Sequence, residues 1–432
     1  MGTKNMKKFA VNNLGCSKNI VDGETIAFYL HSCGFEAVNE FEKADIIIVN
    51  TCTFIQEATE EAIHTIMEMS LYKKKGACSI LIVSGCFSER YRDSIKNQFP
   101  EVDLWVGVKS WPKEINNFLD VIGKVSHERK LTIPISTQYI KIADGCSHGC
   151  TFCIIPSIRG PYKSRSIPSI VNEASWLYTQ GVQECIIVAQ DTSYYGKDMG
   201  TSLVKLLESL LQKTKFPWIR MMYLHPNYIS SELLNLIQSE KRLCSYFDIP
   251  LQHISQPILK AMNRNPADPK EIYHIIEQIR TRISKATIRT SFIVGFPGEK
   301  NTHFSQLLKF VERARFEKAG VFPYSPEEGT KAFNLRPLPY NSTAQKRCEI
   351  LLDLQREISR EIGVSRIGSK ETVIIDEIHN NSQFKFEGRT QGDAPEVDGR
   401  VYIKNGSHSV GEFVETEIVD ADDYDLYAVT SV

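Results

Sequence analysis

No apolar run in this 432-residue sequence approaches the ~20 residues needed to span a bilayer, the longest being pieces such as 46–49 and 81–83. Lys7 and Lys8 are not followed by an apolar h-region, so no secretory signal is expected and a cytoplasmic location is. Neither charge is in excess. With 51 Lys and Arg against 52 Asp and Glu the net charge is −1, which excludes a globally basic nucleic-acid binder and leaves any such role to a local patch. Internal repeats and low-complexity segments are missing, and 42% hydrophobic with 24% charged residues excludes a wholly disordered, collagenous or coiled-coil chain. Disulfides are not expected in a reducing compartment, so the eleven cysteines need another explanation. At roughly 150 residues per domain the length suggests about three domains.

Short apolar runs alternate with amphipathic helical stretches at the start of the chain: 8–11 then 22–32, 45–50 then 56–74, 79–84 then 88–98. This pattern predicts a parallel α/β domain of Rossmann or flavodoxin-like type over 6–123. Each strand runs into a cysteine: Asn13-Leu14-Gly15-Cys16, Asn50-Thr51-Cys52 and Ser84-Gly85-Cys86. In a parallel sheet all three loops leave the carboxyl edge, where open α/β folds place ligands, so Cys16, Cys52 and Cys86 can converge on one site. The plainer alternative is three small buried residues capping strands, but it must produce one placement three times.

Residues 124–137 carry mixed charge and Pro134 and read as a linker. Six further strands follow, at 139–143, 184–189, 219–224, 246–251, 286–294 and 319–322, separated by helices. They predict a partial, TIM-like (β/α)6 barrel over 138–335 with its chemistry at the carboxyl ends of the strands. A helix over 343–363, with Gly363 as its C-cap, connects to a small antiparallel β-barrel of OB-like type over 364–432, with strands at 372–378, 384–388, 400–403 and 411–418. The fold class is therefore multidomain α/β with a β-barrel appended.

Cys146, Cys150 and Cys153 form C-x-x-x-C-x-x-C within ADGCSHGCTFC. Three thiolates within reach of one metal centre leave the usual fourth cysteine of a cubane cluster unfilled, and an iron with an open position can bind a small molecule. Zinc is the main rival, with His148 as a fourth ligand, although His148 lies between two of the cysteines, unlike the paired spacings of structural zinc sites. Cys33, Cys78, Cys185, Cys244 and Cys348 read as structural. Gly363 to Lys370 spells G-V-S-R-I-G-S-K, which misses the phosphate-loop pattern and reads as a helix-to-strand junction. The basic residues from Arg159 to Arg165 could contact a substrate or cofactor but read most simply as a solvated loop.

The triplet, with Phe152 before its last cysteine and at the first strand of a partial barrel, resembles the signature of the radical S-adenosylmethionine (SAM) enzymes. With three separated cysteines in an N-terminal α/β domain and a C-terminal β-barrel of the type called TRAM, the whole chain resembles the methylthiotransferases. One group of these modifies an adenosine of tRNA; another, the RimO group, modifies an aspartate of a ribosomal protein. The wording here is similar to the second, in LGCSKNIVDGE (14–24), YFDIPLQH (246–253), GVFPYSPEEGT (320–330), GRTQGDAPEVDG (388–399) and DYDLYA (423–428). Ser17 and Gly23 depart from the commonest wording of the first motif, but neither is a ligand type.

The resemblance implies that Cys146, Cys150 and Cys153 hold a [4Fe-4S] cluster whose free iron chelates SAM, and that an electron cleaves SAM to methionine and a 5′-deoxyadenosyl radical. It implies that Cys16, Cys52 and Cys86 hold a second [4Fe-4S] cluster carrying the sulfur, with no catalytic residues needed beyond the clusters. Cofactor contacts are implied for Phe152, Gln190, Asp191, Gly295 and Glu299. For the polar ones a helix-cap or loop role is the alternative, and for Gly295 a turn.

The expected reaction adds a methylthio group to the β-carbon of an aspartate in the small-subunit ribosomal protein number twelve. Residues 364–432 hold six basic and fourteen acidic residues, a net charge of −8, against +7 for the rest. Phosphate contacts from Lys and Arg dominate RNA affinity, so such a barrel suits a basic ribosomal protein, free or on the ribosome, better than tRNA. The rivals are tRNA adenosine methylthiolation and a non-catalytic iron-sulfur sensor. A low-potential electron donor and a sulfur donor are required, no membrane is involved, and a monomer is expected.

Overall fold

The computed structural model describes residues 7–123, 126–132, 134–379 and 383–430. Two compact units result, one of Met1–Ile133, Tyr139–His148 and Cys153–Trp176, the other of Pro134–Gln138, Gly149–Phe152 and Leu177–Val432.

The first unit opens with β1 (Lys8–Asn13), α1 (Ser17–Ser32), β2 (Glu36–Ala37), β3 (Ile46–Thr51), α2 (Gln56–Ser70), α3 (Tyr72–Lys75), β4 (Ile80–Gly85), α4 (Cys86–Ile95), β5 (Leu104–Trp105) and α5 (Trp111–Leu119). The strands form one parallel sheet in the order β2-β1-β3-β4-β5, the flavodoxin-like arrangement, whose direction of winding reverses between β1 and β3. All six residues of β3 are buried, as expected of a central parallel strand covered on both faces. Ile47, Val49, Leu81 and Val83 meet Ala62, Ile66 and Met69 of α2 on one face; Ile46, Ile48 and Ile82 meet Ile26 and Leu30 of α1 on the other.

After β6 (Thr137–Lys141) and β7 (Ala143–Asp144) come the cysteine triplet, α6 (Ile155–Arg159), β8 (Lys163–Ser164) and α7 (Ile167–Thr179). Of the expected linker, 124, 125 and 133 lie outside the described residues. Part of the remainder is packed, which corrects the linker assignment there. Arg129 is buried between the buried carboxylates of Glu24 and Glu173, at 3.0 Å from Glu173, and its Nη2 donates to the Tyr139 carbonyl. An arginine in a charged stretch looks solvated until its partners, here distant in sequence, are known.

The second unit carries β9 (Glu184–Val188), α8 (Leu203–Lys213), β10 (Trp218–Met221), α9 (Ser231–Ser239), β11 (Tyr246–Asp248), α10 (Gln256–Ala261), α11 (Pro269–Arg282), β12 (Thr287–Val294), α12 (Asn301–Ala314) and β13 (Lys318–Pro323). Parallel pairs β9–β10 and β11–β12–β13 build the arc, bridged where the Leu224 N–H donates to the Asp248 carbonyl at 2.7 Å. The six expected barrel strands are thus β6 and β9–β13.

α13 (Asn341–Ser365) is a single helix that runs through Gly363. Gly363 is therefore not a C-cap. A Cβ there would lie 3.2 Å from the Ala421 Cβ, so the glycine lets the helix approach the following barrel closely. That barrel is closed, in the order β14 (Lys370–Ile378), β15 (Phe386–Arg389), β16 (Val401–Ile403), β18 (Leu426–Thr430) and β17 (Phe413–Ala421). The pairing of β16 with β18 is parallel, so the barrel is not wholly antiparallel. β18 was not among the four expected strands, because LYAVT follows the acidic turn Asp422 to Asp425 and is only five residues long. Among the described residues no helix is long and apolar enough to cross a membrane.

Candidate functional site

Cys16, Cys52 and Cys86 leave the carboxyl ends of β1, β3 and β4, with Cys16 and Cys52 flanking the reversal point of the sheet. Cys16 is the N-cap of α1 and Cys86 the first residue of α4, both set by glycines at positive φ: Gly15 at 86° and Gly85 at 91°. A Cβ on Gly15 would lie 2.5 Å from the Cys52 Cβ and 2.9 Å from its Sγ, and one on Gly85 2.4 Å from the Thr51 carbonyl. Only glycine allows the three loops to close on one another.

Asn19 is their hub. Fully buried, it donates from Nδ2 to the carbonyls of Leu14 (3.0 Å) and Thr51 (2.9 Å), joining the first two cysteine loops. Its Oδ1 accepts from Arg159 Nη2 at 2.6 Å and lies 3.9 Å from the Cys86 sulfur. Arg159 Nη2 also points at the Cys86 Sγ, 3.4 Å away. Arg159 is 2% exposed, which overturns its assignment to a solvated loop. Its other amino group, Nη1, meets Asp22 at 3.0 Å and Asp144 at 3.1 Å, and Lys141 pairs with the same two carboxylates. Sequence offered no signal that set Asn19 apart, since the inward side of α1 also holds Ser17, Lys18 and Glu24, and none for where Arg159 turns.

The thiols feel one another electrostatically. Burial opposes ionisation of Cys16, but Lys18 and Arg159 outweigh it and hold the thiol below its ordinary value. Burial raises Cys52, and the neighbouring Cys16 charge raises it further. Cys86 is pushed up to about 11 by burial, against the pull of Arg159. Away from this site, burial raises Cys33, Cys78, Cys244 and Cys348, as suits inert structural thiols.

Of the triplet, Cys146, Cys150 and Cys153 are all half-buried. Gly145, at φ 77°, tightens the loop, and the Cys146 N–H donates to the Gly160 carbonyl at 3.0 Å. Beside Cys150, Thr151 is held through its N–H on the Met262 carbonyl and its hydroxyl on the Ala261 carbonyl, each at 2.9 Å. Phe152 packs against the buried cluster of Ile258, Met262, Phe296 and Ala332.

The remaining candidates divide. Both side-chain polar atoms of Gln190, at the end of β9, are buried without a hydrogen-bond partner. Such an amide costs roughly 1–3 kcal/mol per group unless something polar meets it. Asp191 accepts from the Ser193 hydroxyl (2.6 Å) and the Tyr194 N–H (3.1 Å), capping the turn Thr192–Tyr194. Glu299 accepts from the Gly295 N–H and from Arg347 (3.0 Å), and its other oxygen lies 3.4 Å from His253 Nε2. Gly295 sits at φ 76° with Ala344 against it. Asp191, Gly295 and Glu299 are thus engaged in building turns, while Gln190 has polar atoms to offer a ligand.

Three family matches cover this architecture: residues 8–107 to an uncharacterized family designated UPF0004, 140–311 to the radical SAM superfamily, and 367–430 to the TRAM domain. The ribosomal protein uS12 methylthiotransferase RimO of Clostridioides difficile is 42% identical over 439 residues, covering 98% of each chain. The chain belongs to the RimO family. RimO proteins of Pelobacter propionicus (39% over 444 residues, 99% of this chain and 98% of that one) and Aquifex aeolicus (42% over 423 residues, 97% and 96%) match as completely. Among solved structures, the radical SAM methyltransferase TsrM of Kitasatospora setae aligns with a TM-score of 0.56, covering 88% of this chain and 82% of its own at 12% identity, which speaks to fold alone. The residues present fit the groups that RimO family chemistry needs: three thiols on loops that close on one another beside a guanidinium for iron and sulfur, and an unmatched buried amide at the barrel edge for SAM.

Proposed function

We propose that this chain adds a methylthio group to the β-carbon of an aspartate in ribosomal protein uS12, using SAM and two [4Fe-4S] clusters. The near-complete match to proteins named uS12 methylthiotransferase carries the proposal. In this reading 6–123 holds one cluster through Cys16, Cys52 and Cys86. The barrel, 138–335, holds the other through Cys146, Cys150 and Cys153, with Gln190 and Phe152 beside SAM. The helix 343–363 connects to 364–432, which faces the substrate. When bound, the triplet's cluster supplies the electron that splits SAM into a hydrogen-abstracting radical and methionine. The chain's own residues then do three things. Gly15, Gly85 and Asn19 hold three thiols at one sheet edge; Gln190 offers donor and acceptor to the amino acid part of SAM; the turn at Gly295 to Glu299 shapes the barrel mouth.

The acidic C-terminal barrel supports a basic partner, although its charge is not all available. Asp393 is paired with Lys318 (2.7 Å), Asp376 with Arg389 (2.6 Å) and Asp398 with Arg289 (3.4 Å). Glu412, Glu415, Glu417, Asp420 and Asp422 remain exposed along and beside β17, an acidic stripe suited to lysines and arginines. A low-potential electron donor, a sulfur donor and a monomeric enzyme complete the proposal.

Intact mass spectrometry of all ribosomal proteins from cells with and without this gene tests it. One basic small-subunit protein should lose the mass of a methylthio group replacing a hydrogen; no change in any of them overturns the assignment.

Gly15→Ala tests the first site. Alanine at positive φ costs about 1–3 kcal/mol, and here its methyl also strikes Cys52. The variant should lose iron from this site and form no methylthiolated product, yet still release 5′-deoxyadenosine from SAM; full iron content would count against the geometry.

A further inference from the structure

We propose that Arg159 is a positioning residue for the iron-sulfur group at Cys16, Cys52 and Cys86, donating an N–H···S hydrogen bond to the Cys86 ligand sulfur and thereby raising that group's reduction potential. The inference rests on the proposal that these three thiols hold a cluster. Its footing is the direction in which the guanidinium is turned.

Burying an arginine costs several kcal/mol unless it is paired, and here the pairing is divided between its two amino groups. Nη1 faces the carboxylates of Asp22 (3.0 Å) and Asp144 (3.1 Å). These two anions are already matched in number by Lys141 and Arg159, since Lys141 pairs with both. Nη2 turns away from them, to Asn19 Oδ1 at 2.6 Å and Cys86 Sγ at 3.4 Å. Towards a neutral thiol such a contact is weak; towards a ligand thiolate it becomes a charge-assisted hydrogen bond. Asn19, which also joins the Leu14 and Thr51 loops, holds Arg159 at that angle.

Hydrogen bonds to cluster sulfurs and nearby positive charge both favour the reduced, more negative form. Arg159 supplies both from one side chain. It lies at the end of α6, six positions after Cys153, so the segment that leaves the SAM-binding triplet also delivers the cation to the other set of thiols. Lysine would keep the charge but not the planar fork that serves carboxylates and sulfur at once.

The test uses the full chain with Cys146, Cys150 and Cys153 replaced by alanine, reconstituted anaerobically with iron and sulfide. Iron per chain and a dithionite titration followed by electron paramagnetic resonance are the readouts. With Arg159 intact the chain should bind a reducible cluster; if it binds none, the cluster proposal fails and this inference with it. Arg159→Met should make the cluster at least tenfold harder to reduce at a given potential, about 59 mV for a one-electron couple, with Arg159→Lys between. Asp144→Asn, which removes a negative charge and leaves the N–H···S contact, should shift the potential in the opposite direction. The two opposite shifts keep the test decisive if Arg159→Met does not fold, because the lysine and asparagine variants then carry it. An unchanged potential in Arg159→Lys and Asp144→Asn, even with lowered thermal stability, would assign Arg159 to the fold alone and overturn the inference.

Discussion

Cys150→Ala is expected to release no 5′-deoxyadenosine from SAM under reducing conditions, whereas Cys52→Ala should retain part of that activity and yet form no methylthiolated protein. The contrast follows from where the two residues stand. Cys52 follows β3 in the flavodoxin-like sheet, among thiols that influence one another's ionisation, and Cys150 belongs to the loop after β7, where Thr151 is tied to the Ala261 and Met262 carbonyls. A cubane held by three protein thiolates tolerates the loss of one poorly, so each substitution should empty its own site. Measuring 5′-deoxyadenosine and modified peptide in parallel separates the outcomes. Equal loss of both activities in Cys52→Ala would mean that the two cysteine sets do not act as separate sites.

The second large effect concerns stability. Glu184 is fully buried in β9, and its two oxygens meet Arg220 Nε at 2.7 Å and Arg389 Nη2 at 2.8 Å. Arg220 continues to the Gln391 carbonyl at 2.7 Å, so one carboxylate ties the SAM barrel's strands to the loop after β15. Glu184→Gln leaves two buried guanidinium groups short of charge and should cost about 3–5 kcal/mol in urea unfolding, the usual penalty for removing one partner of a buried pair. Burial alone would raise the Glu184 carboxyl, but Arg389 and Arg220 outweigh it and hold it below its ordinary 4.5. A carboxyl depressed in the folded state stabilises above its unfolded value and loses that contribution as pH falls through the folded one. The wild-type chain should therefore weaken in this acid range, and the variant should lack that part of the pH dependence. A loss below about 1 kcal/mol would place the ion pair with the weak, solvent-exposed kind.

What could be read from sequence was whatever is written locally. Three strands each running into a cysteine, a triplet with fixed spacing and an apolar strand every few dozen residues are all short-range patterns, and the parallel sheet and the barrel follow from them. Arg159 and Asn19 escaped because their meaning lies in partners far along the chain: Arg159 meets Cys86 and Asn19, and Asn19 meets Thr51. Arg129 escaped the same way, through Glu24 and Glu173. Gly363 imitated a helix stop, yet the space it saves is against Ala421, a tertiary neighbour. The resemblance implies cofactor contacts for Asp191 and Glu299, with a cap or loop role as the alternative; their turn-building hydrogen bonds, to Tyr194 and Gly295, depend on local backbone geometry that a motif does not spell out.

The two outer strands of the N-terminal sheet, Glu36–Ala37 and Leu104–Trp105, are only two residues long, and the C-terminal sheet closes on itself. Long unpaired strand borders are where proteins recruit one another into aggregates. This chain offers little such border at either end. Neither of these two sheets therefore gives a long template for strand-to-strand association.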